Sequence, residues 1–355
     1  MVEWGSAPTE MDAVRLSRFG PPEVLVPERV PTPGVGGRDV LIRVAYCGIC
    51  RHDVLSRQGA FPTVRPPITP GHQISGHVVA TGVDVPSGLL DRPVTTMLTV
   101  GCGDCLGCLA GDPANCATGR PAFLGDDRDG GYAEFVVVPH HTVVPLPDGM
   151  DLLQAAVVNC TLGTAYHAMV RGGFSAGETV VVTGASGGVG IHAVKLLAHA
   201  GVRVLAVTSR EAKAPMLRNF GAAEVIASPD LQFAKAVREM TGGARADGVL
   251  DIVGSRSLNE SLRALRDGGR VVVLGNVDGG STTVKPALLI LRELSILGTR
   301  SATKAELAVV LDLVSAGRIT VEVGGVFPLR EAAQAHAAME DGSLEGRVVL
   351  AMPRA

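Results

Sequence analysis

Four cysteines stand close together, in the order Cys102-x2-Cys105-x2-Cys108-x7-Cys116. Thiolates at such spacing wrap a tetrahedral Zn²⁺, and a stretch this rich in Gly, Asp and Pro needs such a clip to hold one shape. An iron–sulfur cluster is the competing metal reading. The ferredoxin run, however, closes on a shorter gap followed by proline, whereas here the last gap is seven residues and Ala117 follows. The chain has seven cysteines, Cys47, Cys50 and Cys160 being the others. An odd count with most members clustered fits metal binding better than a disulfide framework. A second set of chemically capable residues is dispersed over Cys50-Arg51-His52-Asp53, Gly71-His72-Gln73 and Asn159-Cys160-Thr161. Two thiolates and an imidazole would leave a fourth metal position open, as a catalytic zinc requires. Sequence distance alone does not group them, since a buried Cys and a hydrogen-bonded His are ordinary core residues.

A third constellation is Val180-Val181-Val182-Thr183-Gly184-Ala185-Ser186-Gly187-Gly188-Val189-Gly190, followed by Ile191-His192-Ala193-Val194-Lys195-Leu196-Leu197. The β-branched run reads as a buried parallel strand, the glycines as a tight turn and the remainder as a helix. That order aims backbone N–H groups and a positive dipole end at a pyrophosphate. Gly187 lets the backbone approach the phosphates, and Gly190 lets helix and strand pack closely. The register is imperfect: Ala185 stands where the first glycine of G-x-G-x-x-G would fall. The next strand ends in Val207-Thr208-Ser209-Arg210, eighteen residues past Gly190 at Thr208. An NAD-preferring fold wants a carboxylate there for the ribose 2′-OH. Thr208 offers none, while Ser209 and Arg210 bring a hydroxyl and a fork of donors suited to a 2′-phosphate, which favours NADP(H).

These groups need elements to position them. At 355 residues the chain predicts two domains. Residues before Met11 carry no pattern and read as a loose leader. From Met11 to about Pro147, β-rich runs such as Val40–Val44, Gly76–Ala80 and Phe135–Val138 alternate with Gly and Pro, predicting an irregular, largely antiparallel β domain. The pattern turns helical over Leu152–Val170. Strands then alternate with helices, at Val202–Thr208, Val249–Val253, Arg270–Leu274 and Leu294–Leu297, which predicts a doubly wound parallel sheet. Helices near Ala305–Val314 and Arg330–Met339 and a strand Arg347–Ala351 complete the chain. A net charge of -3, without any basic run, argues against a nucleic-acid surface. No apolar run is long enough to span a bilayer and no signal peptide is evident, so a cytoplasmic location is expected.

Taken together, these segments resemble the medium-chain dehydrogenase/reductase superfamily in its zinc-containing, alcohol-dehydrogenase-like branch. The resemblance implies an α/β protein: a GroES-like β-rich catalytic domain from residues 1–160 and 301–355, with a Rossmann domain, 161–300, inserted. It implies Cys50, His72 and Cys160 as catalytic zinc ligands, with Asp53 orienting His72. The four-cysteine loop becomes a structural zinc site, giving two zinc ions per chain. Arg51 and Arg347 would contact the cofactor phosphates, Thr164 would lie near the nicotinamide, and Cys47 matches no ligand position. Three departures stand out. His52 occupies the place of a proton-relaying Ser or Thr, Leu55 that of the relay histidine, and Gln73 that of a glutamate. His52 either takes over proton delivery or is a structural histidine. The stretch Val182–Ala193, Leu274-Gly275-Asn276-Val277-Asp278 and Ser301-Ala302-Thr303-Lys304 are similar to archaeal acryloyl-CoA reductase and the quinone-reductase-like branch. The expected function is zinc-dependent hydride transfer between NADP(H) and a small alcohol, aldehyde or ketone. The alternative is NADPH-dependent reduction of an α,β-unsaturated carbonyl or enoyl thioester. A non-catalytic NADPH-binding protein is a third reading, disfavoured because every ligand position is filled. The Gln58–Ile68 loop and the region near Phe123 are expected to line the substrate pocket. Relatives of this kind are homodimers or homotetramers.

Overall fold

The computed structural model describes residues 7–342 and 344–353. Most of the leader expected before Met11 lies outside the described residues, and the first strand begins at Glu10. The chain separates into two compact units. One runs to Cys160 and resumes at Thr303; the other spans Thr161–Ala302.

The first unit is built on a seven-stranded sheet in the order Val323–Pro328, Arg347–Ala351, Asp39–Ile49, Gln73–Thr81, Pro93–Thr96, Val143–Pro145, with Phe135–Pro139 also paired to Asp39–Ile49. Only the first of these pairings is parallel. Val40, Ile42, Val44, Ile74, Val78, Val348 and Leu350 bury themselves in one apolar core, as β-branched and aliphatic side chains on a pleated surface do. Register carries the functional consequence. Gly48 lies opposite Gln73 and Ile49 opposite Val348. Cys50, His72 and Arg347 are thereby brought to one end of the sheet, although they come from three distant parts of the chain. The helix Leu152–Val158 packs on this sheet, pinned by a 2.6 Å hydrogen bond from Ser75 to the Leu152 carbonyl. Gly48 makes the packing possible, because a Cβ there would come within 2.7 Å of Val157.

The second unit is a six-stranded, all-parallel sheet ordered Glu224–Ala227, Arg203–Thr208, Thr179–Val182, Ala246–Asp251, Leu265–Val273, Ser295–Gly298. Strand order reverses at Thr179–Val182, the topological switch point at which such sheets open a ligand crevice. Val181, Leu205, Val207, Val249 and Val271 form its core. The strand Glu224–Ala227 has no counterpart in the sequence reading, being only four residues long and headed by a charged residue. The helical stretch expected over 152–170 is interrupted: Asn159–Gly163 winds as a π-helix between two α-helices. No helix among the described residues is long and apolar enough to cross a membrane.

Candidate active site and metal centres

The ligand atoms of Cys50, His72 and Cys160 lie within 4.8 Å of one another, and Cys50 Sγ is 3.4 Å from His72 Nε2. Donors around a tetrahedral zinc, at about 2.3 Å for sulfur and 2.0 Å for nitrogen, stand about 3.5–3.8 Å apart. The set fits such an ion. Cys50 caps the helix Arg51–Arg57, and Cys160 lies in the π-helical turn, whose extra residue redirects side chains at functional sites. Asp53 Oδ1 lies 3.2 Å from His72 Nδ1, which fixes the imidazole so that Nε2 faces the sulfurs. Asp53 also accepts the Cys50 N–H at 2.7 Å. Burial works against the Asp53 carboxylate, yet His72 and that N–H outweigh it and hold its pKa below the usual carboxylate range. Contact with Cys160, then burial, pushes the Cys50 thiol up, while the same contact pulls Cys160 down. Two sulfurs this close ionise together only with a cation between them. Cys47 is fully buried and stands outside the group.

His52 adjoins this cluster, its ring centroid 5.5 Å from that of His72. Phe61 stacks on it and Phe123 packs against it, each at 4.5 Å. Its Nε2 lies 2.6 Å from Asp126 Oδ2, and Ser56 donates to the other oxygen of Asp126 at 2.7 Å. Asp126 and Ser56 are functional candidates that sequence reasoning missed. Among the described residues, neither amide atom of buried Gln73 has a partner, nor do Nε and one terminal nitrogen of buried Arg347. An unfilled, buried guanidinium fits an anion such as a cofactor phosphate. Arg51 is exposed in the first turn of its helix.

In the cysteine-rich loop, Cys102 and Cys108 sulfurs are 3.9 Å apart and those of Cys105 and Cys116 4.0 Å. These separations are far beyond a disulfide bond and close to the edge of a tetrahedron of thiolates about zinc. Backbone N–H groups of Cys102, Cys105 and Ala117 point at the sulfurs at 3.3–3.4 Å, as they do toward thiolates.

In the second unit the glycine turn leads into the helix Gly188–His199. Gly184 has φ +59°, and a Cβ on Gly190 would lie 2.2 Å from the Gly184 carbonyl oxygen, so both positions require glycine. Ser186 and Thr208 hydroxyls are 3.0 Å apart across the turn, and Ser209 and Arg210 follow as exposed residues. Gly275 packs on the Ile252 carbonyl, and Asn276 accepts the Ser255 N–H at 3.2 Å. Thr164 opens the helix Thr164–Gly172 of this unit. The reading of the sequence overlooked Asp251. Fully buried, it accepts hydrogen bonds from Thr183, Ser257, Ser261 and the N–H groups of Val253 and Gly254, and so ties the two loops at the strand ends together.

Residues 36–148 match the family model of the alcohol dehydrogenase GroES-like domain, and residues 188–316 that of zinc-binding dehydrogenases. An acryloyl-coenzyme A reductase of Sulfurisphaera tokodaii is 31% identical over 93% of this chain and 97% of its own. An NAD-dependent alcohol dehydrogenase from the same organism is 30% identical over 96% of this chain and 99% of its own. The crystal structure of AibC superposes with a TM-score of 0.91 at 42% identity, covering 98% of this chain and 97% of AibC.

Proposed function

The chain belongs to the medium-chain dehydrogenase/reductase superfamily, and from that membership we propose that it is an NADP(H)-dependent zinc oxidoreductase. It moves hydride between the nicotinamide and a small alcohol, aldehyde or ketone, in the cytoplasm and as a homodimer or homotetramer. The observation that carries this reading is the convergence of Cys50, His72 and Cys160. Three protein donors leave a tetrahedral ion one open position for substrate. A zinc held there supplies a Lewis acid at the substrate oxygen, and bound NADPH supplies the hydride. A second zinc, held by Cys102, Cys105, Cys108 and Cys116, shapes its loop.

The chain's own residues do the remainder. Asp53 locks the tautomer of His72. Asp126 engages His52 Nε2, which leaves Nδ1 as the ring atom free to exchange a proton with substrate. Arg51 and Arg347 take phosphate charge. Residues Gly184, Ser186, Gly187, Gly188, Val189 and Gly190 cradle the pyrophosphate at the helix start. Thr208, Ser209 and Arg210 receive the 2′-phosphate, Gly275 and Asn276 shape the adjoining loop, and Thr164 lies against the nicotinamide.

A second reading is reduction of the C=C bond of an α,β-unsaturated carbonyl or enoyl thioester. It is favoured by the relatives named acryloyl-coenzyme A reductase and by His52 and Leu55 in place of the alcohol relay. NADPH oxidation assayed against paired aldehydes and enals, with NADH as control, separates the two readings. An alcohol product upholds the first; a saturated aldehyde upholds the second. The variant Arg210→Asp should narrow the preference for NADPH over NADH about tenfold or more, and an unchanged preference would remove the 2′-phosphate assignment.

A further inference from the structure

Behind the Asp126–His52 pair lies a cavity of about 500 Å³, walled by segments 62–68 and 120–129. Those segments adjoin or contain the two rings that clamp His52, Phe61 and Phe123. Asp126, which lines the cavity, holds His52, whose ring centroid lies 5.5 Å from that of His72. Its volume falls in the range of small-molecule sites and exceeds what a lone ion needs.

The charges around the cavity are unevenly committed. Each of its three carboxylates is engaged: Asp126 by His52 and Ser56, Asp127 by Arg120 and the Phe123 N–H, Asp129 by Arg15 and the Thr69 N–H. Of its three guanidiniums, Arg120 has Asp127, while Arg65 and Arg128 have no side-chain partner among the described residues. Three guanidiniums and three carboxylates line the cavity, and with all three carboxylates engaged Arg65 and Arg128 are the donors left over. Arg presents planar, bidentate donors matched to carboxylate and phosphate oxygens.

We infer that this cavity is the receptor for an anionic tail on the substrate, a phosphate or a carboxylate held by Arg65 and Arg128. The reacting carbonyl lies past His52, toward Cys50, His72 and Cys160; the inference rests on the oxidoreductase reading above. It assigns the enzyme a substrate that is more than a small neutral carbonyl. The anion selects the molecule and the metal-ligand cluster handles its reacting end.

Steady-state kinetics with two matched pairs tests this and identifies the anion. Succinic semialdehyde is compared with its methyl ester, and crotonyl-CoA with its N-acetylcysteamine thioester. The expected result is a KM about tenfold or more lower for the charged member of one pair. That advantage should shrink with added salt and collapse in the Arg65→Gln/Arg128→Gln double variant. If the double variant fails to fold, Arg65→Gln alone, at an exposed position, serves the same comparison. Equal KM values within both pairs, or an advantage that the variants preserve, overturns the inference. Absence of turnover with all four substrates would instead defeat the functional reading. The cavity is then read by calorimetric titration of pyrophosphate and of glutarate with the cofactor site saturated by NADP⁺. Binding of either that is lost in the variants upholds the receptor; no binding, or binding indifferent to the variants, overturns it.

Discussion

His52 and Asp126 stand 74 residues apart in the chain and 2.6 Å apart in space. A carboxylate buried to 6% exposure and braced by Ser56 is a firm anchor for an imidazole, fixing both its orientation and which nitrogen is left for chemistry. If His52 handles the proton, His52→Ala should lower kcat about 10²-fold, and Asp126→Asn about tenfold. The double variant should be no worse than His52→Ala, because the two side chains act as one unit. Zinc content by metal analysis should stay at the wild-type value in all three; additive losses in kcat would separate the roles. Little of this pair was legible in the sequence. The four cysteines and the glycine turn announce themselves by local spacing. Nothing in Gly125-Asp126-Asp127-Arg128-Asp129-Gly130 distinguishes the one aspartate that turns inward from the two that meet arginines. The trio Cys50, His72 and Cys160 was groupable only through resemblance, since strand register, which no local pattern encodes, is what aligns the ends that carry two of them.

Between elements, the helix Arg51–Arg57 is tied to the helix Ala332–Asp341 by a buried polar network. Arg57, 1% exposed, donates to both oxygens of Glu340 at 2.9 and 3.1 Å, to the Gly20 carbonyl at 3.1 Å and to His336 Nδ1 at 3.4 Å. A guanidinium has only donors, so Nδ1 accepts and His336 Nε2–H is left to donate to the Tyr132 hydroxyl, 2.9 Å away. Burial first, and Arg57 after it, lower the His336 pKa to about 4. The unfolded imidazole takes up its proton near 6.5. Between those values the unfolded state binds more protons, so stability falls as pH drops through the window and is fully present above it. Urea unfolding at pH 7 and pH 5 should show a loss that His336→Phe largely removes, with an upper limit of about 2 kcal/mol.

The cysteine-rich loop makes a separate prediction at this scale. Chelation, or Cys105→Ser, should expose residues 101–117 to limited proteolysis and lower Tm by several degrees; unchanged cleavage would mean that the loop holds its shape without metal. Apolar runs such as Val40–Val44 and Arg347–Ala351 were readable as strands, though the first extends in the structure over Asp39–Ile49. The π-helical turn was not, because its sequence, Asn-Cys-Thr-Leu-Gly, is compatible with an ordinary helical or irregular turn and only packing decides.

At the scale of the whole molecule, the outer strand Ser295–Gly298 pairs on one side only among the described residues, and it carries no charge. The preceding helix Pro286–Arg292 buries none of its residues, leaving Ile290 and Leu291 73% and 81% exposed. A neutral sheet edge beside exposed aliphatic side chains is an aggregation hazard unless a partner covers it, and a second copy related by a twofold axis does so with identical surfaces. The expected outcome is a dimer by light scattering that Leu291→Lys/Ile296→Lys converts to monomer. A wild-type monomer would refute the homo-oligomer proposal.

The sheet order of the first unit also bears on biosynthesis. Arg347, whose guanidinium reaches the Ile49 carbonyl, is 298 residues downstream of it. As the chain leaves the ribosome, Thr161–Ala302 is complete while the Asp39–Ile49 strand still lacks Arg347–Ala351, its partner over Tyr46–Ile49. The inserted unit is therefore made before its host can close. A nascent chain stalled between Ala302 and Arg347 carries a finished dinucleotide-type sheet and an incomplete, sticky one, which makes the emergence of Arg347–Ala351 the step at which chaperones have most to protect.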